Sequence, residues 1–434
     1  MKNALRLITI LALLIAALPT VTASQAQEDV TLVVWDINAR DVENEVADTL
    51  AQEFEEAHPG VTVDRVAKSL DDLKATTGLA LASDDGPDVV QVNQGLSDMG
   101  TFVKSGLLLD LTPYAEQYGW VEKLSPGIVA RNSFTADGAV FGEGNLYGVP
   151  PLAEMVGVFY NRDLFNEMGL TIPTTFDEFE ALLDTVVQQG MAPIVFGNLD
   201  GWPGIHTYSE IQNAYIDRTY LDDFVFGRSE VGFNTPENLQ AAEKLVNWVD
   251  KGYFTEFFEG VGYDDSWGLF ADGLGPMMIT GSWLSGELAN LGSADTFGFF
   301  LVPPAEAGQP KMSVGGTSLA YGIRASSGNA DLAAEYIDWM MSARAAELWV
   351  AAGFIPVQPV DASLVEEGTL FGDLVNAWTW LNANDAVGHY IDWATPTFYN
   401  TITASLQELM AKEITPQEFV EKLDADYQEY LASK

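Results

Sequence analysis

Three tryptophans stand at positions where a core residue is not expected. Trp35 is followed by Asp36, Trp202 lies in the segment NLDGWPG, and Trp283 lies in ITGSWLSGE. Aromatic faces pack against the C–H faces of sugar rings, while neighbouring amides and carboxylates bind the hydroxyl groups. A single Trp is more often part of a core, but Trp202 and Trp283 are flanked by Gly, Ser or Pro and belong to no apolar periodicity. These two residues predict a crevice for a hydroxylated ligand.

Signatures of catalysis are scarce. The sequence contains no G-x-S-x-G, no H-E-x-x-H, no P-loop and no EF-hand pattern, and its three histidines are scattered. The absence of cysteine excludes disulfides, thiolate metal sites and cysteine nucleophiles. With 63 acidic residues, a pair of carboxylates carries little information. We therefore expect a binding protein without metal or cofactor. A secreted carbohydrate-active enzyme with two catalytic carboxylates, and a structural surface protein, are the alternatives from other classes.

Alternating strand and helix segments position the candidate residues. The β-branched run at 30–35 predicts a buried strand, the segment 42–54 repeats apolar residues every four positions as a helix does, and VTVDRV predicts a second strand. This β-α-β order predicts a right-handed crossover and a parallel sheet.

The same alternation continues along the chain. Helices are predicted by capping boxes at Thr175–Glu178 and Thr415–Glu418, by Thr235 before Pro236, and by a long helical stretch, or two, near residues 329–353. A length of 434 residues suggests about two domains, and no flexible linker separates them. Further strands are predicted at VVQVN, GVPPLAEMVGVFYN, APIVFGN, GPMMITG, FGFFLVP and SLAYGIR.

The N-terminus has the pattern of a secretory signal peptide at residues 1–26. Lys2 and Arg6 precede an apolar stretch at 7–18, and small residues allow cleavage after Ala23 or Ala26. No cysteine follows that could carry a lipid, and no later stretch reaches about 18 apolar residues. We expect a protein of the periplasm or medium, without stable membrane insertion.

The chain is strongly acidic, with a formal net charge of −43. Removal of Lys2 and Arg6 with the signal peptide would make this about −45. Such a charge repels nucleic acid and anionic membranes. The acids are spread over segments such as DVENEVADTLAQEFEEA, which is typical of a solvated helix face, and a saline habitat is a further explanation.

The order of segments resembles that of the extracellular solute-binding proteins of carbohydrate ABC importers, the family that includes maltose-binding protein. The resemblance covers nearly the whole chain after the signal peptide, and its markers are specific through their order and spacing. They are TLVVWDIN, FEEAHPGVTV, GPDVVQVN, LYGVP, VGVFYNRDLFNEMGLTIPTTFDEF, MMITGSW and SVGGTSLAYGIRASSGNADLAAEYIDWM.

This resemblance implies an α/β fold of the type II periplasmic binding proteins, in which two lobes close on a ligand like a Venus flytrap. Each lobe would hold a mixed sheet flanked by helices. Residues 27–152 plus 318–358 would form the N-terminal lobe, and residues 153–317 plus 359–434 the C-terminal lobe. It also implies a carbohydrate ligand, the transmembrane subunits of an ABC permease as partner, a monomeric state and no catalysis.

The resemblance also implies which residues bind the ligand. The loop after the first strand supplies Asp36 and Arg40. After PDVV, residues Gln91, Asn93 and Gln94 fall where the family places cleft residues, and Gln94 is the candidate chosen.

Later segments supply the remaining candidates. Glu154 lies seven residues before Asn161 and corresponds to a cleft glutamate near the first hinge. The others are Asp200 and Trp202 as an acid–aromatic pair, Trp283 as a stacking residue, Gly316 with Gly315 at a hinge, and Tyr399 with Phe398 at the start of the penultimate helix.

One departure from the maltose-binding type leaves the ligand open. Gln91 and Asn93 stand where that type has an aromatic residue, which suggests a shorter sugar, a polyol or an amino sugar. Glycerol phosphate would need a cluster of Arg or Lys, for which only Arg40 is a candidate. A polyamine would use acids and aromatics, which are present, and a peptide is a further alternative.

Overall fold

A computed structural model describes residues 29–228, 231–292, 295–308 and 311–434, so the predicted signal peptide lies outside the described residues. Within these ranges, no helix combines the length and hydropathy needed to span a bilayer. The strands are β1 Val30–Asp36, β2 Val61–Ala67, β3 Val89–Val92, β4 Ser133–Phe134, β5 Asn145–Leu146, β6 Ala153–Asn161, β7 Met277–Gly281, β8 Phe297–Phe300, β9 Ser313–Thr317, β10 Ala320–Ile323 and β11 Val387–Gly388. The helices are α1 Asp41–Ala57, α2 Leu70–Leu81, α3 Thr101–Lys104, α4 Thr112–Tyr118, α5 Trp120–Lys123, α6 Pro126–Arg131, α7 Arg162–Met168, α8 Phe176–Gln188, α9 Trp202–Gln212, α10 Arg218–Phe226, α11 Pro236–Asp250, α12 Tyr263–Ala271, α13 Ser285–Leu291, α14 Ala330–Met340, α15 Ala343–Ala351, α16 Leu370–Ala383, α17 Phe398–Met410 and α18 Pro416–Ser433.

The first sheet has the strand order β10-β3-β1-β2. The predicted β-α-β unit is present, since β1 pairs in parallel with both β2 and β3. β10 then joins β3 antiparallel, which makes the sheet mixed. Helix α1 packs on this sheet through the apolar stripe of Val46, Leu50 and Phe54, all of which are buried.

The second sheet is centred on β6, with the strand order β11-β9-β6-β7. β7, β8 and β9 all pair with β6 antiparallel, whereas β11 pairs with β9 in parallel, so this sheet is also mixed. Residues 155–160 of β6 are buried without alternation, as expected of a central strand covered on both faces. The prediction of an α/β fold with two mixed sheets is confirmed.

The two sheets are joined by short crossings of the chain. One crossing leads from the bridge at Val149, which pairs with Tyr321 beside the first sheet, into β6. Another is the two-residue step between β9 and β10. Because these crossings lie side by side, the cleft between the sheets is closed at its base by backbone.

Most predicted elements are present, and two details differ. The Thr415–Glu418 capping box is complete, whereas only half of the Thr175–Glu178 box forms. The Glu178 backbone N–H donates to Thr175 Oγ1, but the Glu178 carboxylate accepts from the backbone N–H of Thr174. The strand predicted at APIVFGN is wrong, because Ile194 makes only isolated bridges there. The apolar run is buried by its neighbours without forming a ladder. The long stretch after residue 329 is two helices, α14 and α15.

Candidate functional site

A cleft with an empty volume of about 900 Å³, including its open mouth, lies between the two sheets. The first sheet contributes residues that follow the carboxyl ends of β1 and β3, where open α/β sheets place their ligands. The second sheet contributes the start of β6 and the ends of β7 and β9. The residues that line the cleft are Ile37, Asn38, Arg40, Glu43, Leu70, Asn93, Leu152, Glu154, Trp202, Ile205, His206, Trp283, Thr317, Ser318, Leu319, Tyr390, Asp392, Trp393 and Tyr399.

One side of the cleft is an aromatic wall, which we define as Trp202, His206, Trp283, Tyr390 and Trp393. The ring of His206 lies 5.2 Å from Trp202, 5.4 Å from Trp283 and 5.6 Å from Tyr390, centroid to centroid. Tyr390 in turn lies 5.0 Å from Trp393. Such a continuous set of rings offers stacking faces to a ligand that enters from the mouth.

The aromatic wall is held in place by Tyr263 at the start of α12. The indole Nε1 of Trp283 donates a hydrogen bond of 2.7 Å to the Tyr263 hydroxyl, and the ring of Trp202 lies 4.4 Å from that of Tyr263. Trp283 itself lies in a single helical turn directly after β7, the strand end predicted from the sequence. Trp202 opens helix α9 with Pro203 behind it, although a loop position was predicted.

The opposite side of the cleft is polar and is supplied by the segment after β1. The guanidinium of Arg40 forms ion pairs with Asp264 at 3.1 Å and with Glu43 at 3.6 Å. Asn93 follows β3 and lies nearby. The cleft therefore combines stacking faces on one side with hydrogen-bonding groups on the other.

Burial shifts the protonation of the cleft's titratable groups. Burial, together with the nearby Glu43, raises the pKa of Glu154 to about 8. Burial likewise raises the pKa of Glu43 to about 7 and that of Asp392 to about 6, and it lowers the pKa of His206 to about 3. His206 is therefore a neutral imidazole at physiological pH.

Several buried polar atoms of the cleft have no hydrogen-bond partner within the described residues. They are Asn38 Nδ2, Glu43 Oε2, His206 Nδ1 and the Tyr390 hydroxyl. Leaving such buried atoms without a hydrogen bond is costly, so a ligand that bonds to them recovers that free energy. No group of three His, Asp or Glu residues is arranged to hold a metal ion in the described ranges.

Five of the nine predicted site residues line the cleft. They are Arg40, Glu154, Trp202, Trp283 and Tyr399.

Asp36 and Asp200 are not among the residues that line the cleft. Asp36 is fully buried and pairs with Arg65, whose Nη2 also donates to the Asn38 carbonyl at 2.7 Å. Asp36 thus positions Asn38. The Oδ2 of Asp200 accepts a hydrogen bond of 2.7 Å from the Tyr263 backbone, at the start of α12. Both carboxylates are occupied by protein partners, because short side chains at strand and helix ends reach backbone groups first.

Gln94 and Gly316 are also outside the lining. Gln94 is buried and donates from Nε2 to Thr317 Oγ1 at 3.0 Å and to the Ser318 carbonyl at 2.9 Å, so it supports two lining residues. Asn93, one residue earlier, points into the cleft instead. Gly316 has φ 146°, and a Cβ there would lie 2.8 Å from Arg131 Nη1. Its glycine identity is explained by that close approach.

Several polar or aromatic lining residues were not predicted, among them Glu43, His206, Asp392 and Trp393, which had only weak signals in the sequence. Glu43 is one of many acids on α1, and it differs from the others by being buried. His206 lies on α9, where every residue is buried. Asp392 and Trp393 belong to the segment HYIDWATPT, whose aromatics follow no periodicity, the same signal that identified Trp283.

Two mixed sheets around an aromatic and polar cleft define a two-lobed solute-binding protein. Residues 41–347 match the family described as bacterial extracellular solute-binding protein, and the chain belongs to this family. The family membership expected from the order of segments is thereby confirmed.

Known proteins similar to this chain support the same assignment. The chain is 24% identical over 366 residues to the multiple sugar-binding protein of Streptococcus mutans serotype c, an alignment that covers 81% of each protein. A structure from work on xylan utilization by the thermophilic bacterium Caldanaerobius polysaccharolyticus superposes with a TM-score of 0.80 at 22% identity, over 91% of this chain and 99% of that one. A chitin oligosaccharide binding protein has a TM-score of 0.79 at 22% identity, over 93% and 99% of the two chains. At this identity the structural matches establish the shared fold.

Proposed function

We propose that this protein is the substrate-binding component of an ABC importer and captures a sugar or small oligosaccharide in the cleft. The observation that carries the proposal is the aromatic wall facing polar groups across one cleft. Ring stacking and hydroxyl recognition require both features together. The multiple sugar-binding protein among the relatives supports a carbohydrate as solute.

The arrangement of the lobes follows from this proposal. Residues 27–152 plus 318–358 would move as one lobe and residues 153–317 plus 359–434 as the other, with the crossings at the base of the cleft as the hinge. Ligand contacts from both lobes would stabilise the closed form, with Arg40 contributed by the N-terminal lobe and Glu154 by the C-terminal lobe. That closed monomer would be presented to the permease at the outer face of a membrane, after removal of residues 1–26.

The experiment is a titration of the purified protein, without residues 1–26, against mono- and disaccharides, polyols, glycerol phosphate and polyamines. Tryptophan fluorescence and melting temperature are followed together. A ligand at 100 times its dissociation constant adds about 2.7 kcal/mol of stability, which is readily measured. A response to sugars supports the proposal, whereas a response only to a phosphorylated compound would overturn it.

Catalysis is tested in the same samples. A binding protein returns its ligand unchanged, so chromatography of the sugars after long incubation should show no product. Turnover of a glycoside with a bell-shaped pH dependence would instead identify an enzyme.

A further inference from the structure

The charge of the cleft is unbalanced. Its charged lining residues are Arg40, Glu43, Glu154 and Asp392. Arg40 is already engaged by Glu43 and by Asp264, which lies outside the lining. Neither Glu154 nor Asp392 forms an ion pair with any basic residue that the structure describes, so the cleft holds carboxyl groups without a positive partner.

The carboxyl group of Glu154 has the fewest interactions that could stabilise a negative charge. Glu154 lies near the start of β6, and its carboxyl group makes no hydrogen bond among those that join the described residues. Glu43 faces it from α1, and the Arg40 guanidinium and the Tyr390 hydroxyl also lie near enough to influence it electrostatically. Because it is partly withdrawn from solvent and lies next to a second carboxyl group, its pKa rises to about 8, and it is mainly protonated at neutral pH.

Independent observations show that this part of the cleft is built to receive a polar ligand. Glu43 is 5% exposed and Asn38 is 5% exposed, yet Glu43 Oε2 and Asn38 Nδ2 have no hydrogen-bond partner among the described residues. His206 is 8% exposed, and its Nδ1 is likewise unpartnered. Burial of such atoms is tolerated when a ligand completes their hydrogen bonds.

We propose that the solute is an amino sugar whose protonated amine lies beside Glu154 and Glu43 while its ring stacks on the aromatic wall. This proposal rests on the proposed function and narrows its ligand class. A neutral sugar would leave the Glu154 carboxyl group without a positive partner in a site of low dielectric, whereas an ammonium group favours its carboxylate form, pairs with it and is attracted by aromatic faces. A phosphorylated sugar would be repelled. A flexible polyamine would pair with the acids but would make poor use of the stacking faces.

The same arrangement couples ligand binding to the release of a proton. An ammonium group beside Glu154 favours its carboxylate, so the complex releases a proton that the free protein holds below pH 8. The affinity for an amino sugar should therefore increase by up to about tenfold per unit of pH between pH 5 and 7. A neutral sugar should bind with an affinity that changes little over this range.

The test is calorimetric titration with glucosamine, galactosamine and the β-1,4-linked glucosamine disaccharide. Each is compared with its N-acetylated form and with the neutral sugar that bears a hydroxyl in place of the amine, and spermidine is included. We expect at least one free amino sugar to bind tenfold tighter than both counterparts, with proton release seen as a difference in heat between buffers of different ionisation enthalpy.

Two variants locate the effect. Glu154→Gln removes the carboxyl group and should weaken amino-sugar binding at least tenfold while weakening neutral-sugar binding less. Glu45→Gln makes the same change on the exposed face of α1 and should leave both affinities unchanged. Melting curves establish that each variant is folded.

The remaining outcomes overturn the inference. If neutral or N-acetylated sugars bind as tightly as the free amines, the amino-sugar inference fails and the proposed function stands. If spermidine alone binds, the inference fails together with the carbohydrate assignment on which it rests. If no compound of this panel binds, the inference fails, and the broader sugar titration decides the carbohydrate assignment.

Discussion

Glu287 caps helix α1 from across the cleft, because its Oε1 accepts a hydrogen bond of 2.9 Å from the backbone N–H of Val42. Val42 lies in the first turn of α1, whose own N-cap residue, Arg40, supplies no side-chain cap. Glu287 lies on α13, directly after the turn that carries Trp283. Helix α1, which packs on the first sheet, thus receives its capping carboxylate from a helix that follows β7 of the second sheet. A negative charge is favourable at the N-terminus of a helix.

Loss of this cap should weaken ligand binding. Glu287→Ala removes a contact worth about 1 kcal/mol that joins the two sides of the cleft, and if closure depends on it we expect roughly a fivefold increase in the dissociation constant. Calorimetric titration measures it. Glu413→Ala, at an exposed position, is the matched control. An unchanged affinity in Glu287→Ala would mean that the cap makes no contribution to closure.

Removal of the Trp283 indole should affect binding more than folding. Trp283→Ala loses aromatic contact with the ligand, for which we expect about 1–3 kcal/mol of binding free energy, with a smaller loss of stability because the residue is only partly buried. The control is Trp349→Ala in the core, where Trp349 is 1% exposed and the expected loss is about 3–5 kcal/mol of unfolding free energy. Unchanged affinity with a collapsed melting temperature in Trp283→Ala would mean that Trp283 is a core residue.

Gly281 should be intolerant of alanine because of Trp283. A Cβ at Gly281 would lie 1.8 Å from the Trp283 ring, although its φ of −87° is open to any residue. Gly281→Ala must displace the indole, and we expect a loss of affinity comparable to that of Trp283→Ala. Gly260→Ala, where a Cβ would have no neighbour within 4 Å, is the control. Equal affinities in the two glycine variants would contradict the proposed stacking position.

The ion pair of Asp36 and Arg65 should support folding without touching the ligand. Both side chains are almost inaccessible, and the two oxygens of Asp36 lie 2.6 and 2.9 Å from the guanidinium nitrogens. Asp36→Ala removes the buried partner of Arg65 and leaves it only the exposed carboxylate of Asp48, and we expect a loss of about 3–5 kcal/mol in urea unfolding. Asp48→Ala, which removes the exposed partner of Arg65, should cost less than about 1 kcal/mol. Similar losses in both variants would show that burial does not govern this pair.

Glu210 should make stability depend on pH. It lies under the second sheet, where its Oε1 accepts from Val314 N at 2.8 Å and its Oε2 has no partner among the described residues, and burial raises its pKa to about 8. The folded protein therefore holds a proton that the unfolded chain releases above its usual pKa, so stability is full at low pH and falls as the pH rises towards 8.

The variant Glu210→Gln keeps the oxygen acceptor and removes this titration. Relative to the unaltered protein, its unfolding free energy should increase by about 1 kcal/mol per pH unit between pH 5 and 8. Denaturant unfolding at several pH values measures the difference, with Glu413→Gln as control. A constant difference across this range would mean that Glu210 is ionised in the folded state.

Strand ends were the most informative part of the sequence for the site. Trp283 was predicted to follow a strand because Gly and Ser surround it, and it lies in a turn directly after β7. By contrast, Asp36 was chosen where Asn38 lines the cleft, and Gln94 where Asn93 does. Side-chain direction alternates along an extended chain, so an error of one position exchanged the lining residue Asn93 for the supporting residue Gln94. Asn38 lies beyond the end of β1, where this alternation no longer applies.

The lining residues that the sequence did not predict are distinguished from their neighbours only by long-range packing. Glu43 is one acid among several on α1, and only the approach of the second sheet distinguishes it from its solvated neighbours. His206 lies on a helix that is buried on all sides. Neither environment can be inferred from neighbouring residues in the chain, whereas the helix caps at Thr235 and Thr415, which depend only on local spacing, were predicted correctly.

The position of β10 has a consequence for how the chain folds. The first sheet begins at Val30, yet β3 receives its antiparallel neighbour only from residues 320–323, after the strands β6 to β9. Until about three quarters of the chain has been synthesised, β3 has an open edge and cannot complete its hydrogen-bond ladder. The first sheet therefore reaches its native strand order only after β6 to β9 of the second sheet have been synthesised, so the two sheets cannot be completed one after the other in chain order.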